Sequence, residues 1–320
     1  MTPLLDQISL TLAYSATAVY ACAFVAYTLA FSRSATVVVP TRSLVVVGGT
    51  GTPAATGSQP RDDGGQRPGR RASRSGFALT CIALAIEVAA AAIRGVAAAR
   101  VPWAYMFVFS LTGTILLIAV FLVVIHRTRF VFLGSFVLGL VTILLGVATV
   151  GFYVPVVPLP PALQSAWLVI HVLVALLATA FFGITFTLSG AQLIALRQEH
   201  GRRLPGRIAR LLRAIPDAET LDTLVYRLTI VGFTLWTFTL MAGAIWAGRA
   251  WGRYWGWDTK EVWTFVIWVI YAAYLHAKAT RGWNGARAAW LSIIGFATVA
   301  FNFGIVNVFF SGLHSYSGLK

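Results

Sequence analysis

Eight stretches of this chain are each apolar for long enough to cross a lipid bilayer, and that property decides most of what the sequence can fold into. They run approximately from 8 to 31, 77 to 98, 104 to 125, 130 to 151, 166 to 195, 223 to 247, 262 to 279 and 288 to 310. A spanning helix needs roughly 17 to 25 such residues. Inside lipid each backbone N–H and C=O must be satisfied within its own segment, so every run is read as an α-helix. The expected fold class is all-α: a polytopic membrane protein with about eight transmembrane helices. Charged residues make up 11% of the chain, against roughly 25% in soluble domains, which excludes a single soluble core. The first run is as long as a full span and has no basic leading region, so residues 1–31 are read as a first helix rather than a cleavable signal peptide.

Between the first two runs, residues 32–75 are rich in Gly, Pro, Ser, Thr and Arg. Such a composition cannot bury a core, and the segment is expected to be a disordered cytoplasmic loop. Residues 76–320 then form a seven-helix core carrying a Trp-rich loop over 249–263. The formal net charge is +15, but the basic residues sit in the connections after the first, third, fifth and seventh runs. Of the 25 Lys and Arg, only Arg94, Arg100, Arg249, Arg253, Lys260 and Lys320 fall on the other side. Positive charge distributed this way sets topology; it is not the basic face of a nucleic-acid-binding domain, and no nucleic-acid partner is expected. The positive-inside rule puts both termini and the Trp-rich loop outside the cytoplasm. The stretch Gly201 to Leu221 alternates arginines with Ile208, Leu211, Leu212 and Ile215, and reads either as a helix lying on lipid headgroups or as a solvated linker. Cys22 and Cys81 lie in apolar runs without CxxC or CxxCH spacing, which argues against a thiol redox motif.

The chemistry-bearing residues gather at the outward end. Four of the 11 tryptophans, Trp251, Trp255, Trp257 and Trp263, occur in WGRYWGWDTKEVW, with Gly252 and Gly256 permitting tight turns. An interfacial belt explains one ring per helix end; this density also suits a platform for a large planar ligand, whose carboxylates Arg249, Arg253 and Lys260 can pair. Asp258 and Glu261 suit the start of the seventh helix. Of five histidines, His171 lies about a turn inside the fifth helix and His314 just past the eighth, both at the depth of the tryptophans. Two imidazoles meeting there can fill both axial positions of a haem iron. His276, toward the cytoplasmic end of the seventh helix, can ligate a second haem, His126 can snorkel to the headgroups, and His200 reads as solvated surface. Glu87, inside the second run, needs a polar partner, for which Arg94 is the candidate.

WGRYWGWDTKEVW resembles the "WWD" signature of haem-handling proteins in cytochrome c maturation, and from about Ser75 to Gly318 the chain is similar to the CcsA/ResC family of System II, often labelled CcsB in actinobacteria. WLVIHV resembles that family's first external histidine motif, YLHAKATRGW its transmembrane histidine motif and GLHSYSG its second external one. Thr259 replaces the Pro often found after the aspartate, and VPWAYMFVFS lacks the Asn and Glu relatives commonly show there.

The resemblance implies that His171 and His314 are axial ligands to haem b held on a platform of Trp251, Trp255, Trp257, Asp258 and Trp263, with Arg249 and Arg253 nearby. His276 would ligate haem arriving from the cytoplasm, its counterpart coming from a ResB/CcsB-type membrane partner. The implied activity is haem transport across the plasma membrane and presentation to the CxxCH of apocytochrome c, as one half of a holocytochrome c synthase, with thioredoxin-like proteins as thiol reductants. The rival readings are a System I-type haem delivery protein, and a non-haem transporter or structural membrane subunit.

Overall fold

The computed structural model describes residues 2–34, 67–99, 103, 105–156, 166–200, 214–310 and 312. All regular structure among them is helical: α1 (Thr2–Ser34), α2 (Arg67–Ala98), α3 (Met106–Thr128), α4 (Val131–Gly151), α5 (Ala166–Glu199), α6 (Ala218–Trp251), α7 (Thr259–Arg281) and α8, which runs from Ala286 to Phe301, passes through a π-helical turn over Asn302–Val306 and ends at Asn307–Phe309. Among the described residues, eight helices are long and apolar enough to cross a membrane, matching the expected all-α polytopic class. α1 runs on to Ser34 and the second helix begins at Arg67, some ten residues before the apolar run, so 32–34 and Arg67–Ser75 of the expected loop are helical; the rest of it, 35–66, lies outside the described residues.

Paired side chains show that neighbouring helices run antiparallel. Ser9 reaches Ala90 and Tyr20 reaches Glu87 between α1 and α2; Gln192 reaches Asp222 between α5 and α6. One end of the bundle, the Trp end, therefore gathers the start of α1, α3, α5 and α7 with the close of α2, α4, α6 and α8.

Lipid supplies no hydrophobic drive between helices, so their association rests on close packing and on buried hydrogen bonds. The α1–α2 pair illustrates both. Buried residues recur along α1 as Ala13, Ala16, Tyr20, Ala23, Tyr27 and Ala30, and along α2 as Thr80, Ala83, Glu87, Ala90, Arg94 and Ala97. These alternating three- and four-residue steps make a heptad seam, in which alanines let the backbones approach and every seventh residue of α2 is polar. Glu87 is not paired with Arg94 as expected. Its carboxylate accepts from Tyr20 Oη at 2.7 Å and from Thr114 Oγ1 at 2.5 Å, bracing α1, α2 and α3, while Arg94 lies seven residues on and pairs with Asp6 and the Val154 carbonyl. Two turns of helix, about 10 Å, separate the two positions and give each its own partners.

A second apolar cluster, containing Ala178, Phe182, Trp236, Ile267, Tyr271, Phe296 and Val299, joins α5 to α8, and a third packs Trp103, Leu168, Val172 and Trp246 at the Trp end. Cys22 is exposed, Cys81 half-buried, and neither is in a disulfide.

Candidate functional site

The α6–α7 connection positions the Trp segment. α6 extends to Trp251, four residues past its expected end, and stops at Gly252, whose φ of +69° gives the left-handed C-cap. α7 opens on a capping box: the Asp258 side chain accepts from backbone N–H groups of the first turn, and Glu261 Oε2 accepts from the Asp258 N–H at 3.1 Å and the Gly256 N–H at 2.8 Å. Asp258 and Glu261 thus start the helix as their position suggested. Only residues 252–258 are loop; Trp251 is on α6 and Trp263 on α7. Arg253 ion-pairs with Glu261 at 3.6 Å, and its guanidinium fills the space a side chain at Gly256 would need. Trp257 has φ of +58°, a conformation that is an outlier for a bulky residue. Its indole is 78% exposed and packs edge-on to Trp255, with ring centroids 5.8 Å apart.

Beneath this loop lies a cavity of about 210 Å³. Its walls are mainly aromatic and aliphatic, Trp103, Trp236 and Trp246 among them; the exposed Tyr254 and Trp255 mark its rim. Its polar lining includes His171, Thr239, Lys260, Glu261, Asn302 and Asn307. His171 is the best-defined group. Its Nδ1 lies 3.1 Å from the Thr239 carbonyl; because a carbonyl only accepts, Nδ1 donates, and in the neutral imidazole Nε2 then carries the lone pair. The imidazole stands nearly parallel to Trp246, 18° between planes, and over Gly243, where a Cβ would fall 2.8 Å from Cε1 and 3.2 Å from Nδ1. Backbone hydrogen bond, indole and glycine together fix the ring. A Gly243→Ala protein is therefore expected to lose about 1 to 3 kcal/mol by overpacking and to shift the ring. Gly190→Ala, where nothing lies within 4 Å, should be neutral or slightly stabilising. Thermal unfolding in detergent checks both, and equal behaviour of the two would mean that His171 is not seated on α6.

Of the residues singled out from sequence, His171, Trp255, Lys260 and Glu261 line this cavity. Trp251 packs on Trp246, centroids 4.7 Å apart, and Trp263 on Phe301 at 4.5 Å. Arg249 lies over the Trp167 ring at 5.1 Å. His276 is exposed on α7 toward the opposite end, about 24 Å along the helix from Lys260. Also at that end, Lys278 pairs with Asp222 and hydrogen-bonds Asn284 at 3.0 Å. His126 and His200 are exposed. His314 lies outside the described residues; Gly312, two positions earlier, sits against the Asp258 carboxylate, where a Cβ would be 2.4 Å from Oδ2. Sequence reading missed Trp103, Trp236, Trp246, Asn302 and Asn307. Two amides inside an apolar span were the available signal for the last pair.

Residues 103–314, about two thirds of the chain and a range that spans this whole site, match the family described as cytochrome C assembly protein. The chain belongs to that family. Among individual relatives it is 41% identical over 177 residues to a cytochrome c biogenesis protein CcsA from a Synechococcus species, covering 50% of this chain and 57% of that protein. It is 40% identical over 174 residues to the CcsA of Guillardia theta, covering 51% and 58%, and 52% identical over 109 residues to the CcsA of Gloeobacter violaceus, covering 34% and 32%. The matched parts span little more than half the length of the first two relatives and about a third of the last. The family match begins at Trp103, so α1 and α2 stand outside it.

The residues present suit haem as a substrate. Aromatic walls suit stacking against a planar π-system, a neutral imidazole suits the iron, and a lysine at the cavity wall suits a carboxylate.

Proposed function

We propose that this protein transports haem b across the plasma membrane and presents it to apocytochrome c, as one half of a two-protein System II cytochrome c synthase. The observation that carries the reading is the oriented His171 imidazole on the wall of an aromatic cavity, inside the region shared with the cytochrome c assembly family. The Trp end faces away from the cytoplasm, as the distribution of Lys and Arg argues. His171 and His314 hold the iron there, and the exposed Trp255 and Trp257 cover the macrocycle beside the capped start of α7. His276, exposed on α7, receives haem nearer the cytoplasm against a ResB/CcsB-type partner. Each cysteine thiol of the incoming CxxCH adds across a vinyl C=C, sulfur to one carbon and hydrogen to the other, so attachment consumes no oxidant, and thioredoxin-like proteins keep the thiols reduced beforehand. Positioning supplies the rate enhancement.

Oxidised and reduced absorption spectra of the detergent-purified protein, alone and co-expressed with its partner, test this. A Soret band with sharp reduced α and β bands is the expected result; protein that is haem-free in both preparations would overturn the reading. Trp255→Ala/Trp257→Ala should lose haem during purification while inserting normally. Normal haem retention with impaired insertion would instead assign these rings to the membrane interface.

A further inference from the structure

Lys260 is the second residue of α7, where the helix dipole disfavours a cation. A lysine acting only as an interfacial anchor extends its ammonium outward to the headgroups. Lys260 does the reverse: it lines the cavity, and its Nζ donates to the Asn302 carbonyl at 2.9 Å, on the π turn of α8. Its acidic neighbours, Asp258 and Glu261, are engaged in the capping box. An ammonium has three donors, of which Asn302 takes one. Asn302 and Asn307 line the same cavity, each 5% exposed, and each side-chain oxygen lacks a hydrogen-bond partner. Buried polar atoms are nearly always satisfied; a carboxylate offers these oxygens no donor, so an amide serves it through Nδ2, which in Asn307 donates to the Phe303 carbonyl at 2.8 Å. Cation and amides thus form a polar patch on one wall of an otherwise apolar chamber. The arginines that were the other candidates for an anion do not line it: Arg249 lies over Trp167 and Arg253 pairs with Glu261.

We propose that Lys260, held by the π turn of α8 and flanked by Asn302 and Asn307, is the carboxylate-recognition residue of the cavity and selects planar ligands that carry an anionic side chain. Resting on the haem reading above, this assigns Lys260 to a haem propionate. Asn302 opens the π turn of α8, so the carbonyl that holds the lysine lies where the helix departs from its regular geometry.

The test is an absorption titration of the full chain, purified in detergent, with haem and with haem dimethyl ester, in which both propionates are capped. The wild type should bind the ester about 10- to 100-fold more weakly, the loss expected for one hydrogen bond to a charged group. Lys260→Met should bring haem affinity down to that of the ester and leave the ester's unchanged, and Lys260→Arg should restore the preference. Equal wild-type affinity for the two ligands would overturn the proposal and leave haem binding standing; binding of neither would remove both. The wild-type comparison decides even if a variant fails to fold.

Discussion

His171→Gly should abolish the low-spin haem spectrum at the Trp end, and added imidazole should restore it. Three groups fix the native ring: the Thr239 carbonyl on Nδ1, the Trp246 face and the gap at Gly243. Removing a group that merely orients a metal ligand costs about 10- to 100-fold in affinity, so loss of the ligand itself should exceed about 100-fold. Because the glycine variant leaves an imidazole-shaped space lined by the same groups, free imidazole has a place to bind, and rescue would separate lost ligation from a lost fold. Low-spin haem at wild-type content in the unrescued variant would remove His171 from the iron.

Much of this architecture was legible because lipid leaves a chain few options. Run length and polarity located eight helices, whereas the seam between α1 and α2 came only with the burial of their residues. Asp258 and Glu261 announce the start of α7 through local capping chemistry. What stayed hidden depends on tertiary geometry. Asn302 and Asn307 are five residues apart, about 140° round an ordinary α-helix; the wider π turn brings both to one cavity. Arg249 and Arg253 looked available for a ligand because nothing in their sequence shows that Trp167, 82 positions from Arg249, and Glu261 would take them. Trp246 reads as one more apolar residue of α6, yet it forms the wall beside His171. Glu87 and Arg94 share a helix and opposite charge, but the seven-residue seam assigns them to different neighbours.

That seam also carries the largest expected effect on stability. Arg94 is 2% exposed, its guanidinium engaged by the Asp6 carboxylate and the Val154 carbonyl. Asp6 in turn accepts from Tyr153 Oη at 2.9 Å and the Val156 N–H at 3.4 Å, and the Phe107 ring lies 4.9 Å from the guanidinium carbon. The network ties α1 and α2 to the segment that follows α4. Asp6→Ala leaves the arginine charge without its counter-ion in a site sealed from water, which costs about 3 to 5 kcal/mol. Replacing the pair together, as Asp6→Leu/Arg94→Met, removes both charges and should recover most of that loss, since apolar substitutes for a buried ion pair are often neutral or better. Thermal unfolding in detergent measures the cycle; a single variant within about 0.5 kcal/mol of wild type would show the pair to be solvated. None of these side chains lines the cavity at His171, so haem bound to the double variant should keep the wild-type band positions. Shifted bands would instead mean that α1 and α2, which precede the family-matched region, shape the ligand site as well as brace it.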